Sequence, residues 1–193
     1  MPYAHSDHPV IILMRGLPGS GKSHLVRELK KELGDGVVVL DPDTTDYQSA
    51  EYKAHVERQV AEGVDPALHA YRFLRQQAYD GIAARKLIIW DQPFTNLEIF
   101  QKMLDRLRTH AKEQGTELAI MLVEVELDPV TAKERVQQRK STGGHGPSDG
   151  TFARRVNDYA SFEHLGHKTV KVQGGADVRV SAAAVLQALS ELA

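Results

Sequence analysis

Gly16-Leu17-Pro18-Gly19-Ser20-Gly21-Lys22-Ser23 matches G-x-x-x-x-G-K-[ST] at every fixed position. The spacing has a direct chemical meaning. Gly19 and Gly21 let the backbone turn with its N–H groups converging on one concavity, into which the helix expected next points its positive N-terminal end. Such a nest holds a polyphosphate. Lys22 can then reach the β- and γ-phosphates as a mobile charge, while the Ser23 hydroxyl is placed to ligate a magnesium ion bridging the same oxygens.

Carboxylates supply the second set. Asp41, Asp43 and Asp46 follow the apolar run Val37–Leu40, and Asp91, Gln92 and Asn96 follow Leu87–Trp90. Ligands of parallel sheets bind outside the carboxyl ends of the strands, where these residues fall. An isolated Asp at a strand end is ordinarily a turn former or a helix cap. Beside a polyphosphate nest, Asp91 reads instead as a carboxylate that holds magnesium through water. One Asp of the Asp41/Asp43 group can accept a proton from a substrate hydroxyl. Asp41 lies nearer the strand and suits a structural cap.

Arg135 and Arg139 stand four residues apart, on one face of an expected helix, so both can reach one polyanion. Between Thr131 and Arg155 the cations Lys133, Arg135, Arg139, Lys140, Arg154 and Arg155 face only Glu134 and Asp149. A segment dense in Gly, Ser and Pro, Ser141–Asp149, lies inside this stretch and is expected to be mobile. Residues 135–155 are therefore expected to form a lid that closes over phosphates and excludes water.

These residues need a scaffold, and the hydrophobic pattern supplies one. Val10–Met14, Val37–Leu40, Leu87–Trp90, Leu118–Val125 and Thr169–Val172 are short apolar runs of the kind shown by strands buried on both faces. Between them fall helical stretches over Gly21–Leu33, Gln48–Gly63, Pro66–Ala84, a Thr95/Glu98 capping box running to Gln114, and Pro129 onward. A short helix at 152–162 and a last helix from Ser181 complete the series. Alternation of strand and helix implies right-handed crossovers and a parallel sheet with helices on both faces, an α/β three-layer fold.

The chain has 193 residues, the size of one α/β domain, with residues 1–9 expected as a loose tail carrying His5 and His8. It contains no cysteine, which excludes disulfides and thiolate metal sites. Lys and Arg number 24 against 26 Asp and Glu, so the surface as a whole is not built for polyanions and nucleic acid is not the favoured partner. No apolar run approaches membrane-spanning length. A cytoplasmic protein without a membrane partner is expected. His145, His164 and His167 read as surface or lid histidines.

The octet, Asp41-Pro-Asp43-Thr, Asp91 followed by Asn96, and R-x-x-x-R resemble the zeta-toxin and polynucleotide-kinase-like group of P-loop kinases, small AAA-type ATP-binding kinases. The resemblance implies a nucleoside-monophosphate-kinase-like sheet of five parallel strands in order 2-3-1-4-5. It implies ATP and Mg2+, Asp43 as general base, Arg135 near the adenine and Arg139 on the transferring phosphate. Asp41, Asn96, Arg154 and Arg155 are candidates on the substrate side. The basic residue that commonly follows the base in this group is absent, since Thr44, Thr45, Asp46 and Tyr47 stand there. The expected activity is transfer of the γ-phosphate to a hydroxyl of a small-molecule or nucleotide-type acceptor, with a polynucleotide 5′-hydroxyl as the runner-up. An antitoxin-like inhibitor stays open as a partner. The rival from another class is an ATP-hydrolysing switch that phosphorylates nothing.

Overall fold

The computed structural model describes residues 7–192. The apolar runs become β1 (Val10–Arg15), β2 (Val38–Leu40), β3 (Leu87–Asp91), β4 (Ala119–Glu126) and β5 (Lys168–Gln173). All pairings are parallel and the order is β2-β3-β1-β4-β5, as the resemblance implies. Crossovers of this kind need helices, and seven α-helices occur among the described residues: α1 (Lys22–Leu33), α2 (Ala50–Ala61), α3 (His69–Ala83), α4 (Leu97–Glu113), α5 (Pro129–Ser141), α6 (Asp149–Asn157) and α7 (Val178–Ser190).

β1 is buried along its whole length because it is central. Its alternate side chains feed two cores, as the period of two requires. Ile12 and Met14 pack with Leu25 and Leu29 of α1 and Val185 and Leu189 of α7. Ile11 and Leu13 pack on the other face with Leu74 and Ile82 of α3 and Leu104 and Leu107 of α4. A smaller cluster joins Leu17 to Ala132, Val136 and Phe152, which seats the phosphate loop under α5 and α6.

Register then levels the functional ends. Met14 lies opposite Asp91 across the β1–β3 pair, and Arg15 lies opposite Glu124 across β1–β4. The phosphate loop therefore leaves β1 at the height where β3 presents its last residue.

Several boundaries differ from expectation for identifiable reasons. Helix α4 is capped by Asn96, whose side-chain oxygen accepts from Ile99 N at 2.9 Å, and not by Thr95, which is buried. Helix α6 starts three residues early because Ser148 caps it, and it stops at Asn157. The chain beyond is held otherwise, with Phe162 buried against Arg15. Helix α7 starts at Val178 on an Asp177 cap. The expected tail is held at its end. His8 Nδ1 lies 3.4 Å from Thr116 Oγ1, and the buried Pro9 accepts from Ala119 N through its carbonyl. His5 and the rest of residues 1–6 lie outside the described residues. Among the described residues no helix is long and apolar enough to cross a membrane.

Candidate active site

Gly16, Gly19 and Gly21 all hold positive φ, so the loop between β1 and α1 takes a path open to few other residues. Sterics add to this at Gly19, where a Cβ would stand 2.3 Å from the Ala132 carbonyl oxygen of α5. The nest is thus pressed against the helix that carries Arg135 and Arg139. Behind it, Gly174 lies so close to Ser20 that a Cβ there would meet the Ser20 carbonyl at 2.1 Å.

Lys22 lies inside the nest. Its Nζ donates to the carbonyls of Gly16 and Leu17 at 3.0 and 3.1 Å, and burial pushes its pKa down against the pull of Asp91. A buried ammonium held only by main-chain oxygens lacks a full counter-charge, which a phosphate oxygen would supply. The next residue, Ser23, donates its hydroxyl to Asp91 Oδ2 at 2.7 Å. Burial raises the Asp91 pKa, with Lys22 and the Ser23 hydrogen bond opposing it. A hydroxyl and a buried carboxylate oxygen in contact are hard donors suited to a magnesium ion. The residues present therefore fit both a polyphosphate and its cation, with Lys22 and the loop amides on the phosphates and Ser23 and Asp91 on the metal.

The two aspartates after β2 stand in different surroundings. Asp41 is buried, and its oxygens accept from Asp43 N at 2.8 Å and from Thr44 Oγ1 at 3.1 Å, which fixes the turn. Asp43 is exposed, and the imidazole of His145 in the α5–α6 loop places Nε2 3.7 Å from its Oδ2. The turn that Asp41 builds holds the Asp43 carboxylate out towards the phosphate loop.

Lys22, Ser23, Asp41, Asp43, Asp91, Arg135, Arg139 and Arg155 all line one cleft of about 720 Å³. Gly19, Gly21 and Pro18 form its floor. Gly16, Leu17 and Ser20 lie beneath it, two of them as carbonyl partners of Lys22. Arg135 Nη1 also donates to the Gly174 carbonyl, which aims it at the β5–α7 side. Two candidates lie elsewhere. Arg154 is exposed and is not among the residues that line the cleft, and Asn96 spends its side-chain oxygen on the α4 cap in a neighbouring pocket.

Other residues arrive unannounced. Arg27 lines the cleft one helical turn after Ser23, a spacing that the sequence does contain, and His145 reaches Asp43 from the loop. Arg15, just before the octet, is fully buried. Its Nη1 donates to Glu124 Oε1 at 2.7 Å, its Nε to the Phe94 carbonyl at 3.2 Å and its Nη2 to the Ala160 carbonyl. The Tyr159 and Phe162 rings flank the guanidinium at 4.0 and 3.8 Å. One side chain thus ties the phosphate loop, the β3–α4 loop and the chain leaving α6.

Residues 11–163 match the family model AAA_33, an AAA domain, which takes in β1, the phosphate loop, both aspartate ends and the α5–α6 region. The chain belongs to this AAA-domain family. No curated protein matches it. Among solved structures, a gluconokinase from Sinorhizobium meliloti 1021 is similar with a TM-score of 0.59 at 17% identity, covering 97% of this chain and 95% of that one. A sugar kinase from Janibacter sp. HTCC2649 gives 0.60 at 17% identity, covering 96% of each chain. A deoxyadenosine kinase from M. mycoides gives 0.54 at 17% identity, covering 95% of this AAA-domain chain and 100% of that one. At that identity the likeness carries the fold, a P-loop kinase fold.

Proposed function

We propose that this AAA-domain protein is an ATP-dependent phosphotransferase that moves the γ-phosphate of MgATP to a hydroxyl of a small-molecule or nucleotide-type acceptor. The observation that carries it is the position of Asp43. Its carboxylate is free of the turn's hydrogen bonds and lines the same cleft as Lys22, Ser23 and Asp91. Asp43 takes the acceptor's proton as that oxygen bonds to the γ-phosphorus and the bond to the β–γ bridging oxygen breaks, with ADP leaving. Lys22 and Arg139 balance charge on the transferring group, while Arg135 faces the nucleotide from the β5 side. Ser23 and Asp91 would hold a magnesium ion, which would supply charge neutralisation at the phosphates.

The loop after α5 folds back on that helix. A Cβ at Gly144 would stand 2.6 Å from Arg139 Cγ, and one at Gly146 would stand 2.9 Å from Val136 Cγ1. This packing supports a lid whose movement carries Arg139 and His145 with it. The zeta-toxin-like grouping rests on Asp41-Pro-Asp43 and on the Arg135/Arg139 pair. The test is incubation of purified protein with γ-labelled ATP against pools of metabolites and 5′-hydroxyl oligonucleotides. Label moving to one acceptor class is expected; ATP hydrolysis with no labelled acceptor would favour a switch instead.

A further inference from the structure

Beside the nucleotide cleft lies a second, smaller cavity of about 160 Å³ whose lining includes Tyr71, Gln92, Phe94, Phe100, Met103 and Arg155. Gln92, Pro93 and Arg155 line both cavities, so the two are adjacent at that edge. The smaller one lies on the β3–α4 side, away from β5 and the Arg135–Gly174 contact. Its walls are mixed: the rings of Tyr71, Phe94 and Phe100 with Ile99 and Met103 supply apolar surface, and Gln92, Thr95, Asn96 and Arg155 supply polar groups. Among them, Gln92 Oε1 is buried and has no hydrogen-bond partner among the described residues. Buried polar atoms are nearly always paired, so an orphaned oxygen on a side chain that lines the cavity marks a carboxamide that gains by turning towards a ligand donor.

The segment is also built stiffly. Phe94 holds φ 46°, left-handed backbone that an aromatic residue rarely adopts, and Arg15 clamps its carbonyl. Thr95 is buried and Asn96 caps α4. A strained, doubly anchored loop presenting one carboxamide between aromatic rings is pre-organised for a rigid partner.

We propose that this cavity is the acceptor pocket and that it takes a planar heteroaromatic ring with a donor–acceptor edge, as in a nucleoside. The proposal rests on the phosphotransferase reading. A carboxamide pairs with such an edge through two hydrogen bonds, and the Tyr71, Phe94 and Phe100 rings supply apolar and stacking surface. The cavity admits one ring and little more. The sugar of a nucleoside then extends past Arg155 into the cleft, where a hydroxyl meets Asp43. A polyol acceptor fits the apolar part of these walls poorly, because hydroxyls set against Phe94, Phe100 and Met103 would lack partners there.

The test is direct binding, independent of phosphoryl transfer, to the full chain saturated with a non-hydrolysable ATP analogue and magnesium. Adenosine, cytidine, thymidine and guanosine are titrated beside gluconate and glucose by calorimetry. In parallel, emission is followed from Trp90, the one tryptophan, whose ring centroid lies 6.1 Å from that of Phe94. At least one nucleoside is expected to bind and to change Trp90 emission, with gluconate and glucose silent. Gln92→Leu should weaken nucleoside binding at least tenfold while the melting temperature holds. Gln92→Glu, which keeps the shape and removes the amide donor, should change which nucleoside is preferred. Sugar binding with all nucleosides silent, or nucleoside binding indifferent to both substitutions, overturns the pocket assignment. Gln92-dependent nucleoside binding without any transfer of label would instead overturn the kinase reading, and with it the acceptor role, and leave only a nucleoside-binding cavity.

Discussion

The Ser23 hydroxyl donates to Asp91 Oδ2 across 2.7 Å, so the phosphate loop and the end of β3 meet at one hydrogen bond. The contact exists because β1 and β3 are neighbours in register, with Met14 opposite Asp91. A magnesium ion shared by these two residues would insert at that contact, and the pair is then expected to couple nucleotide binding to pH and to metal.

Burial raises the Asp91 pKa above its unfolded value. Below the ordinary carboxylate pKa both states hold the proton and Asp91 costs nothing. As pH rises from that value through the raised folded one, the unfolded chain ionises first and apo stability falls. Magnesium should offset this loss, so its stabilising effect should grow with pH across the same window. Asp91→Asn should leave the apo melting temperature at neutral pH equal to or above wild type and remove the magnesium-dependent shift. Thermal melts with and without magnesium across pH read both outcomes. A magnesium shift that survives the substitution would exclude Asp91 as a metal holder.

Lys22→Met should uncouple binding from stability. The lysine is 7% exposed and its ammonium touches only two carbonyls, so its removal relieves an uncompensated charge and should not lower the apo melting temperature. The shift produced by MgATP should vanish. Differential scanning fluorimetry decides it, and a retained ATP shift would refute the assigned contact.

The two aspartates after β2 should separate cleanly. Asp43→Asn should keep the melting temperature and MgATP affinity near wild type and lower phosphotransfer by about 10²–10⁴. Asp41→Ala removes the acceptor of Asp43 N and Thr44 Oγ1 and should cost about 1–2 kcal/mol of stability, read as a drop of roughly 2–8 °C. If Asp41→Asn abolishes transfer while Asp43→Asn spares it, the base has been assigned to the wrong residue.

Arg15→Met should be severe without touching the nucleotide. It leaves Glu124 without its guanidinium and strips the Phe94 and Ala160 carbonyls, a loss of about 3–5 kcal/mol and a fall in melting temperature on the order of 10 °C. Glu124→Gln in the same chain should recover part of it, since no unpaired carboxylate then remains. A double variant no better than the single would mean that the lost carbonyl and ring contacts dominate.

Lid closure is checked by limited proteolysis around Arg139 and Lys140. Cleavage should be slower with a non-hydrolysable ATP analogue plus magnesium than without, and Arg139→Ala should lower turnover more than ATP affinity. Equal cleavage in both states would identify a plain surface loop.

The octet, the alternation of strands with helices and the aspartates at strand ends were legible in the chain because each depends on local spacing. Backbone φ, hydrophobic period and the position just after an apolar run are all set within a few residues. The caps at Asp65, Asp128 and Gly34 belong to the same class. Tertiary structure decided whatever depends on which strands become neighbours. Ser23 meets Asp91 across 68 residues, and Arg15 meets Glu124 across 109 and Ala160 across 145. Arg15 read only as the residue before a glycine motif, since nothing local distinguishes an arginine that will be buried between two rings from one that will be solvated. Gln92 was visible at a strand end, yet its unpaired oxygen and aromatic walls exist only once α3, α4 and the chain around Arg155 have packed about it. Asp41 and Asp43, two residues apart, parted only when the turn closed, because that turn spends the Asp41 oxygens on Asp43 N and Thr44 Oγ1 and leaves the Asp43 carboxylate exposed.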